Sequence, residues 1–357
     1  MRTFVFSILF ALMLSVPALA DEDIIDKTAI EDAAPAEAIE TVGGIESVTD
    51  TQSALERLWS KVTGEVSDNL SKVLGRAVSV VVVAVICGLL KVFTAEKAVP
   101  DWCDLCGCAA ISILCLADIG SYISMCRSAL EDVSAFSQSL LPALCTLGAG
   151  SGAISSATVK YAASALFMDM LLSAAVKLIM PAVLAFLALS VAASAFDSKR
   201  LSRLCKLLKK VCVLLMTALA IGFTAYLGIS SAITSSADAL ALRAAKTAIS
   251  TALPVVGGIV SDAASSVIGS AELLKSTVGV FGMLIIAAIC AAPFVILGLN
   301  YLAYKAAAAG VSMLGSDRLS ALTDSVGDAF GMLLGLVGCA GIMMFISIFS
   351  AIKAVSL

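Results

Sequence analysis

Histidine is absent from the 357 residues. Its absence removes the commonest general base at neutral pH, the Ser-His-Asp and Cys-His nucleophile pairs, and the imidazole ligands of most catalytic zinc sites. Charge is scarce as well, with only 14% of residues Asp, Glu, Lys or Arg. No internal repeat is evident, and no even, loop-borne set of cysteines frames a disulfide scaffold. Of the eleven cysteines, Cys87, Cys115, Cys145, Cys212, Cys290 and Cys339 lie within apolar runs, where a thiol behaves as a small hydrophobe. The expectation is a chain that is not an enzyme and takes no cofactor.

What the chain has is apolar surface. Hydrophobic residues make up 60% of it and the mean hydropathy is +1.03, more than a soluble domain of this size could hide. The expected fold is an all-α polytopic membrane protein, with about six to seven membrane segments and interfacial amphipathic helices. Val278–Leu299 is the clearest span: 22 residues without a charge, or about 33 Å of helix. Gly279, Gly282 and Pro293 would weaken that helix in water, but in lipid the backbone has no better partner than itself. The net charge of −4 conceals an asymmetry, acidic before Lys72 and strongly basic over Lys199–Lys210. Because the one dense basic run abuts a span, nucleic acid is not an expected partner.

In chain order, Met1–Ala20 reads as a signal peptide: Arg2, an apolar core from Phe4 to Val16, then Ala18-Leu19-Ala20. An uncleaved anchor is the alternative. Residues 21–75 form an acidic extracytoplasmic region, its first thirty residues expected to be a disordered lead-in. Over Thr51–Leu74, Leu55, Leu58, Trp59, Val62, Val66, Leu70 and Val73 recur at three- and four-residue steps and give one apolar stripe. Such a helix packs on the protein's own outer face or docks a partner. Residues 76–357 form the multi-spanning domain. Spans are expected at Ala77–Phe93, Leu105–Ser124, Val211–Thr234, Val278–Leu299 and Ala329–Ile352, the last with Gly327, Gly331 and Gly335 as a close-packing face.

Two segments are ambiguous. Leu140–Val159 is rich in Gly and Ser, and Tyr161–Phe196 is too long for one straight span. Arg127–Asp132 reads as a polar break. Counting every apolar segment as a crossing would strand Lys199–Lys210 outside, against the positive-inside rule. Treating Leu140–Val159 as re-entrant removes the conflict and places Ser198 in the cytoplasm. Asp197–Lys210 then reads as a basic interfacial helix on anionic lipid, with Arg203, Lys206 and Lys210 on one face and Leu204, Leu207, Leu208 and Val211 on the other.

Three groups of residues are candidate sites. Cys103, Cys106 and Cys108 form a CxxCxC cluster. Without histidine or a second CxxC, the plainer reading is chance clustering rather than a metal site. Asp118, Asp169 and Lys177 are ionisable groups in apolar surroundings, suited to a polar path or relay, or placed near headgroups. Arg243, Lys246 and Ser250 make a polar stripe on a helix that Pro254 ends, and Gly257-Gly258 turns the chain into a second amphipathic piece carrying Asp262. This helical hairpin could line a pore, touch a partner or cap the bundle.

The block over residues 239–282, with its Arg243-x-x-Lys246 helix, Pro254–Gly257, Asp262, and Leu273–Lys275 running into a span with internal Pro293, resembles the stage III sporulation protein AE family. The signal peptide, acidic region, small-residue segment at Gly148–Gly152 and basic run at Lys199–Lys210 occur in the family's order. The CxxCxC cluster is not part of that pattern. The resemblance implies a multi-pass protein of the mother-cell membrane around the forespore, within a channel or secretion-like complex. Its implied partners are the sister stage III sporulation A proteins, one ATPase-like and others ring-forming, and stage II sporulation protein Q from the forespore. The implied role supports late forespore gene expression, with this chain as a permease- or export-gate-like part. An autonomous secondary transporter using Asp118, Asp169 and Lys177, or a purely structural anchor, are the rival readings.

Overall fold

The computed structural model describes residues 27–45, 51–93, 99–117, 119–150, 154–252, 257–314 and 316–353. The signal-peptide segment 1–20, Asp118 and Pro254 lie outside the described residues. Every extended element described is helical: α1 (Lys27–Asp32), α2 (Ala36–Val42), α3 (Thr51–Phe93), α4 (Val99–Leu116), α5 (Ile119–Gly150), α6 (Ile154–Ala174), α7 (Met180–Ala195), α8 (Lys199–Ala252), α9 (Gly257–Met313) and α10 (Asp317–Lys353). A five-residue π-turn, Ala175–Ile179, joins α6 to α7. Pro181, in the first turn of α7, has no N–H to give to an upstream carbonyl, and the wide turn accommodates that loss without ending the helix.

Six helical stretches are long and apolar enough to cross a membrane: Gln52–Lys91, Trp102–Gly150, Ala157–Ala195, Lys199–Ser230, Ser276–Met313 and Asp317–Ile352. The protein is an all-α, multi-pass membrane protein. Its centre is the α9–α10 hairpin, whose span windows are 50% and 56% buried, against 28% for those of α3 and α8. Glycines set the approach of these two helices. A Cβ at Gly331 would stand 3.1 Å from the Tyr301 ring, and Gly327 rests against the stem of Lys305, Gly338 against Phe294 and Gly341 against Cys290. The predicted close-packing face is real and extends further along α10 than Gly335. Phe136, Phe281, Phe330, Leu140, Leu144 and Leu187 fill the interior around it.

Contacts at the two ends fix the order of the helices. At one end Lys91 Nζ lies 2.5 Å from Asp104 Oδ1, Ser316 Oγ donates to the same carboxylate at 3.0 Å, and Arg318 pairs with Asp197 at 3.4 Å. The connections after α3, α7 and α9 therefore gather there. At the other end Lys160 Nζ donates to the Ser350 carbonyl at 2.6 Å, and Ser164 and Ser347 share a hydrogen bond.

Several sequence expectations change. The lead-in is not featureless where it is described: Ile30, Ala38, Val42 and Ile45 are buried, and the Ile45 N–H donates to Glu31 Oε1 at 2.6 Å. A segment too apolar-poor to fold alone gains a surface when an existing bundle supplies it. The amphipathic helix at Thr51–Leu74 is not separate; it runs into the first span as one 43-residue helix. Its stripe is only partly covered, with Leu58 buried but Trp59 71% exposed. Arg127–Asp132 is no break. Arg127 and Glu131 pair at 2.8 Å one turn apart, while Leu130, Val133 and Phe136 point inward, so the charges form one face of a continuous helix.

Leu140–Val159 is not an isolated re-entrant loop. Leu140–Gly150 is the end of α5 and Ile154–Val159 the start of α6, with 151–153 outside the described residues. The count of candidate crossings before Lys199 is the same, because Trp102–Gly150 and Ala157–Ala195 each count as one. The basic run does not form its own interfacial helix either. It is the first three turns of the 54-residue α8, since nothing after Lys210 interrupts the i to i−4 ladder. Leu204, Leu207 and Val211 face outward.

Candidate functional site

The residues of the distinctive block sit on the extended ends of α8 and α9. With 54 and 57 residues, these helices reach about 81 and 86 Å, against a hydrocarbon thickness of roughly 30 Å. α8 continues as helix to Ala252, and α9 begins at Gly257. Arg243 and Lys246 lie on the first of these extensions and Gly257 and Asp262 on the second. Pro254 and the turn expected around it lie outside the described residues, while the backbone on either side, to Ala252 and from Gly257, is continuous helix with α8 and α9.

Of the intramembrane candidates, Asp118 lies outside the described residues, and the structure does not pair the other two. Asp169 lies on α6 and Lys177 in the π-turn, both are exposed, and among the described ion pairs neither takes part. The structure buries other polar groups instead. Lys160 is 5% exposed and Asn300 is fully buried, its amide donating to the Ile296 carbonyl at 2.8 Å.

The strongest electrostatic feature was not anticipated from the sequence. Asp328 on α10 lies between two lysines, its Oδ2 2.7 Å from Lys209 on α8 and its Oδ1 2.7 Å from Lys305 on α9. Lys305 also reaches Asp324 at 2.6 Å. Gly327 makes room for the lysine, since a Cβ there would meet the Lys305 stem at 3.3 Å. One carboxylate thus ties three helices together. Spacing within the sequence gives no warning of it, because Lys209 is over a hundred residues from Asp328 and Lys305 lies on the other side of a turn; only the charges inside otherwise apolar helices hint at it. A second unforeseen cluster surrounds Tyr122, which accepts a hydrogen bond from Arg76 and packs edge-on against Phe330, itself stacked on Tyr304 at 5.4 Å.

The cysteine cluster lies on α4, where Cys108 is buried and Cys106 exposed. Residues at these helical positions point to different sides. Among the described residues no group of three His, Cys, Asp or Glu side chains converges.

Compared with known proteins, residues 37–355 match the model of the stage III sporulation protein AE family. The chain belongs to that family. It is also 28% identical over 307 residues to the stage III sporulation protein AE of Bacillus subtilis (strain 168), covering 85% of this chain and 76% of that protein. No solved structure matches. As a member of the family with six membrane-crossing stretches, the chain is a sporulation membrane protein.

Proposed function

We propose that the chain is the multi-pass component of the channel or secretion-like complex between mother cell and forespore. It would sit in the mother-cell membrane around the forespore, and its permease- or export-gate-like part is the role it would fill. Its partners in this reading are the sister stage III sporulation A proteins, the ATPase-like and ring-forming members, and stage II sporulation protein Q. The observation that carries the reading is the pair of helices that outrun the membrane. An isolated bundle has no use for about 30 Å of charged helix beyond its spans, whereas a member of an assembly needs a projecting surface. Arg243, Lys246 and Asp262 supply charge on it. The outward-facing Asp169 and Lys177 also favour neighbours over an internal relay, because charges near hydrocarbon require a wet or protein partner.

The transporter reading loses support on the same ground, since Asp169 and Lys177, two of its three coupling residues, are exposed and take no part in the described ion pairs. No chemistry of bond making is assigned to the chain. The test is genetic and biochemical. In a spore former, deletion stalls development after engulfment, and Arg243→Glu with Lys246→Glu prevents co-purification of the sister proteins while the chain still reaches the membrane. Normal sporulation of the deletion strain overturns the reading. Unchanged co-purification by the double variant reduces the hairpin to a cap.

A further inference from the structure

Two cavities lie one after the other along the seam between α8 and α10. The first, about 530 Å³, is polar and lined by Lys199, Arg203, Lys206, Arg318, Ser194 and Ser202. The second, about 600 Å³, is apolar, with Met216, Phe294, Tyr301, Gly335 and Ile342 on its walls. On α8 the lining residues follow each other at three- and four-residue steps from Lys199 through Lys206, Lys209 and Val213 to Ile221. On α10 they run likewise from Asp317 through Ser325 and Asp328 to Ile342. Residues so spaced share one face of a helix, so the two spaces are consecutive stretches of the same seam. The Lys209–Asp328 pair stands at their junction.

The charges in the polar stretch are unbalanced. Arg318 is engaged by Asp197 at 3.4 Å. Lys199, Arg203 and Lys206 are exposed, and among the described ion pairs none involves them. The carboxylate of Asp317 is the remaining acid on the wall. Beyond the junction the seam offers thioether, aromatic and aliphatic surface, and Gly335 leaves its floor open: a Cβ there would meet nothing nearer than the Met216 methyl, at 3.8 Å. The outer surface of α8 beside the seam is apolar as well, with Leu204, Leu207 and Leu214 exposed.

We infer that this seam holds one anionic phospholipid, its phosphate among Lys199, Arg203 and Lys206 and an acyl chain along the groove past Gly335. Charge complementarity selects the headgroup, and the apolar continuation selects a lipid over a free anion. A bound lipid would fill the space between α8 and the α9–α10 hairpin. It would thereby couple the position of α8, and so of its extension carrying Arg243 and Lys246, to the lipid around the protein. The inference does not depend on the channel reading.

The test uses the full chain purified from membranes in mild detergent, with labelled phosphatidylglycerol as probe and phosphatidylcholine and inorganic phosphate as competitors. Binding is expected to saturate at one lipid per chain, to resist phosphatidylcholine, and to weaken about fivefold in Arg203→Gln, the loss of one surface cation. Gly335→Leu, which fills the apolar groove, is expected to abolish retention of the lipid. Helicity measured on both variants separates loss of the site from loss of the fold, and Arg203 is exposed enough for its replacement to leave the fold intact. Equal retention of phosphatidylcholine and phosphatidylglycerol overturns the inference. So does displacement by inorganic phosphate with Gly335→Leu unaffected, which would make the pocket an anion site only. A photo-crosslinker at Ser202 that captures a protein chain rather than lipid in cells also overturns it.

Discussion

Replacing Asp328 by Asn removes a carboxylate that faces lysines from two other helices. The side chain is 14% exposed, while Lys209 is 40% and Lys305 27% exposed. Breaking a fully buried pair costs about 3–5 kcal/mol, because the partner is left charged and dry. A fully exposed pair is worth about 0–1 kcal/mol. This site lies between the two. Lys305 keeps Asp324 at 2.6 Å, and Lys209 is wet enough to turn to solvent, so the expected loss is about 1–3 kcal/mol. In equilibrium unfolding of the detergent-solubilised chain that is roughly a 5- to 150-fold shift toward the unfolded form. Asp324→Asn is the control. That carboxylate is 52% exposed and touches only Lys305 among the described ion pairs, so its loss should cost under about 1 kcal/mol. A double-mutant cycle between Asp328→Asn and Lys209→Gln should show coupling of about 0.5–3 kcal/mol, as contacting charges do. If Asp328→Asn unfolds at the same midpoint as Asp324→Asn, the carboxylate is not the tie between α8, α9 and α10, and the reasoning fails.

Two further outcomes follow from the packing and the order of the helices. Gly331→Val should destabilise by about 1–3 kcal/mol, because its Cβ would meet the half-buried Tyr301 ring at 3.1 Å, whereas Gly335→Ala should be tolerated with its nearest neighbour at 3.8 Å; equal unfolding midpoints for the two would contradict the close approach of α9 and α10. A single cysteine at Ser198 in a chain otherwise free of cysteine should be labelled only from the cytoplasmic side, since six crossings that begin outside put the α7–α8 turn inside; labelling from outside would invert the topology.

The rules that failed here failed for a common reason. Gly, Pro and short charge clusters mark breaks in water, where the freed backbone groups can turn to solvent. In this chain Arg127–Asp132 lies inside α5 and Arg76 inside α3 without interrupting a helix, while Pro293, expected to be tolerated in lipid, lies inside α9. Arg76 survives mid-helix because Tyr122, on a helix distant in sequence, accepts its hydrogen bond and lies under its guanidinium at 5.9 Å. The acidic lead-in was misread for the converse reason. Its few apolar residues, Ile30, Val42 and Ile45, are insufficient for a core of their own and become sufficient once the bundle is present.

The distribution of apolar residues by itself determined that the chain is helical and that it lives in a membrane, but each expected span is extended at one end by further helix, as Ala77–Phe93 is within Gln52–Lys91 and Leu105–Ser124 within Trp102–Gly150. The thermodynamic reason is local, because in lipid each helix must satisfy its own backbone and cannot borrow partners from afar. Only the tertiary structure decided which charges meet. Lys209, Lys305 and Asp328 are brought within 2.7 Å by the packing of three helices, and the basic pocket opens onto an apolar groove because α8 and α10 share a seam. Such meetings depend on helix order and rotation, and the periodicity of any one segment carries neither.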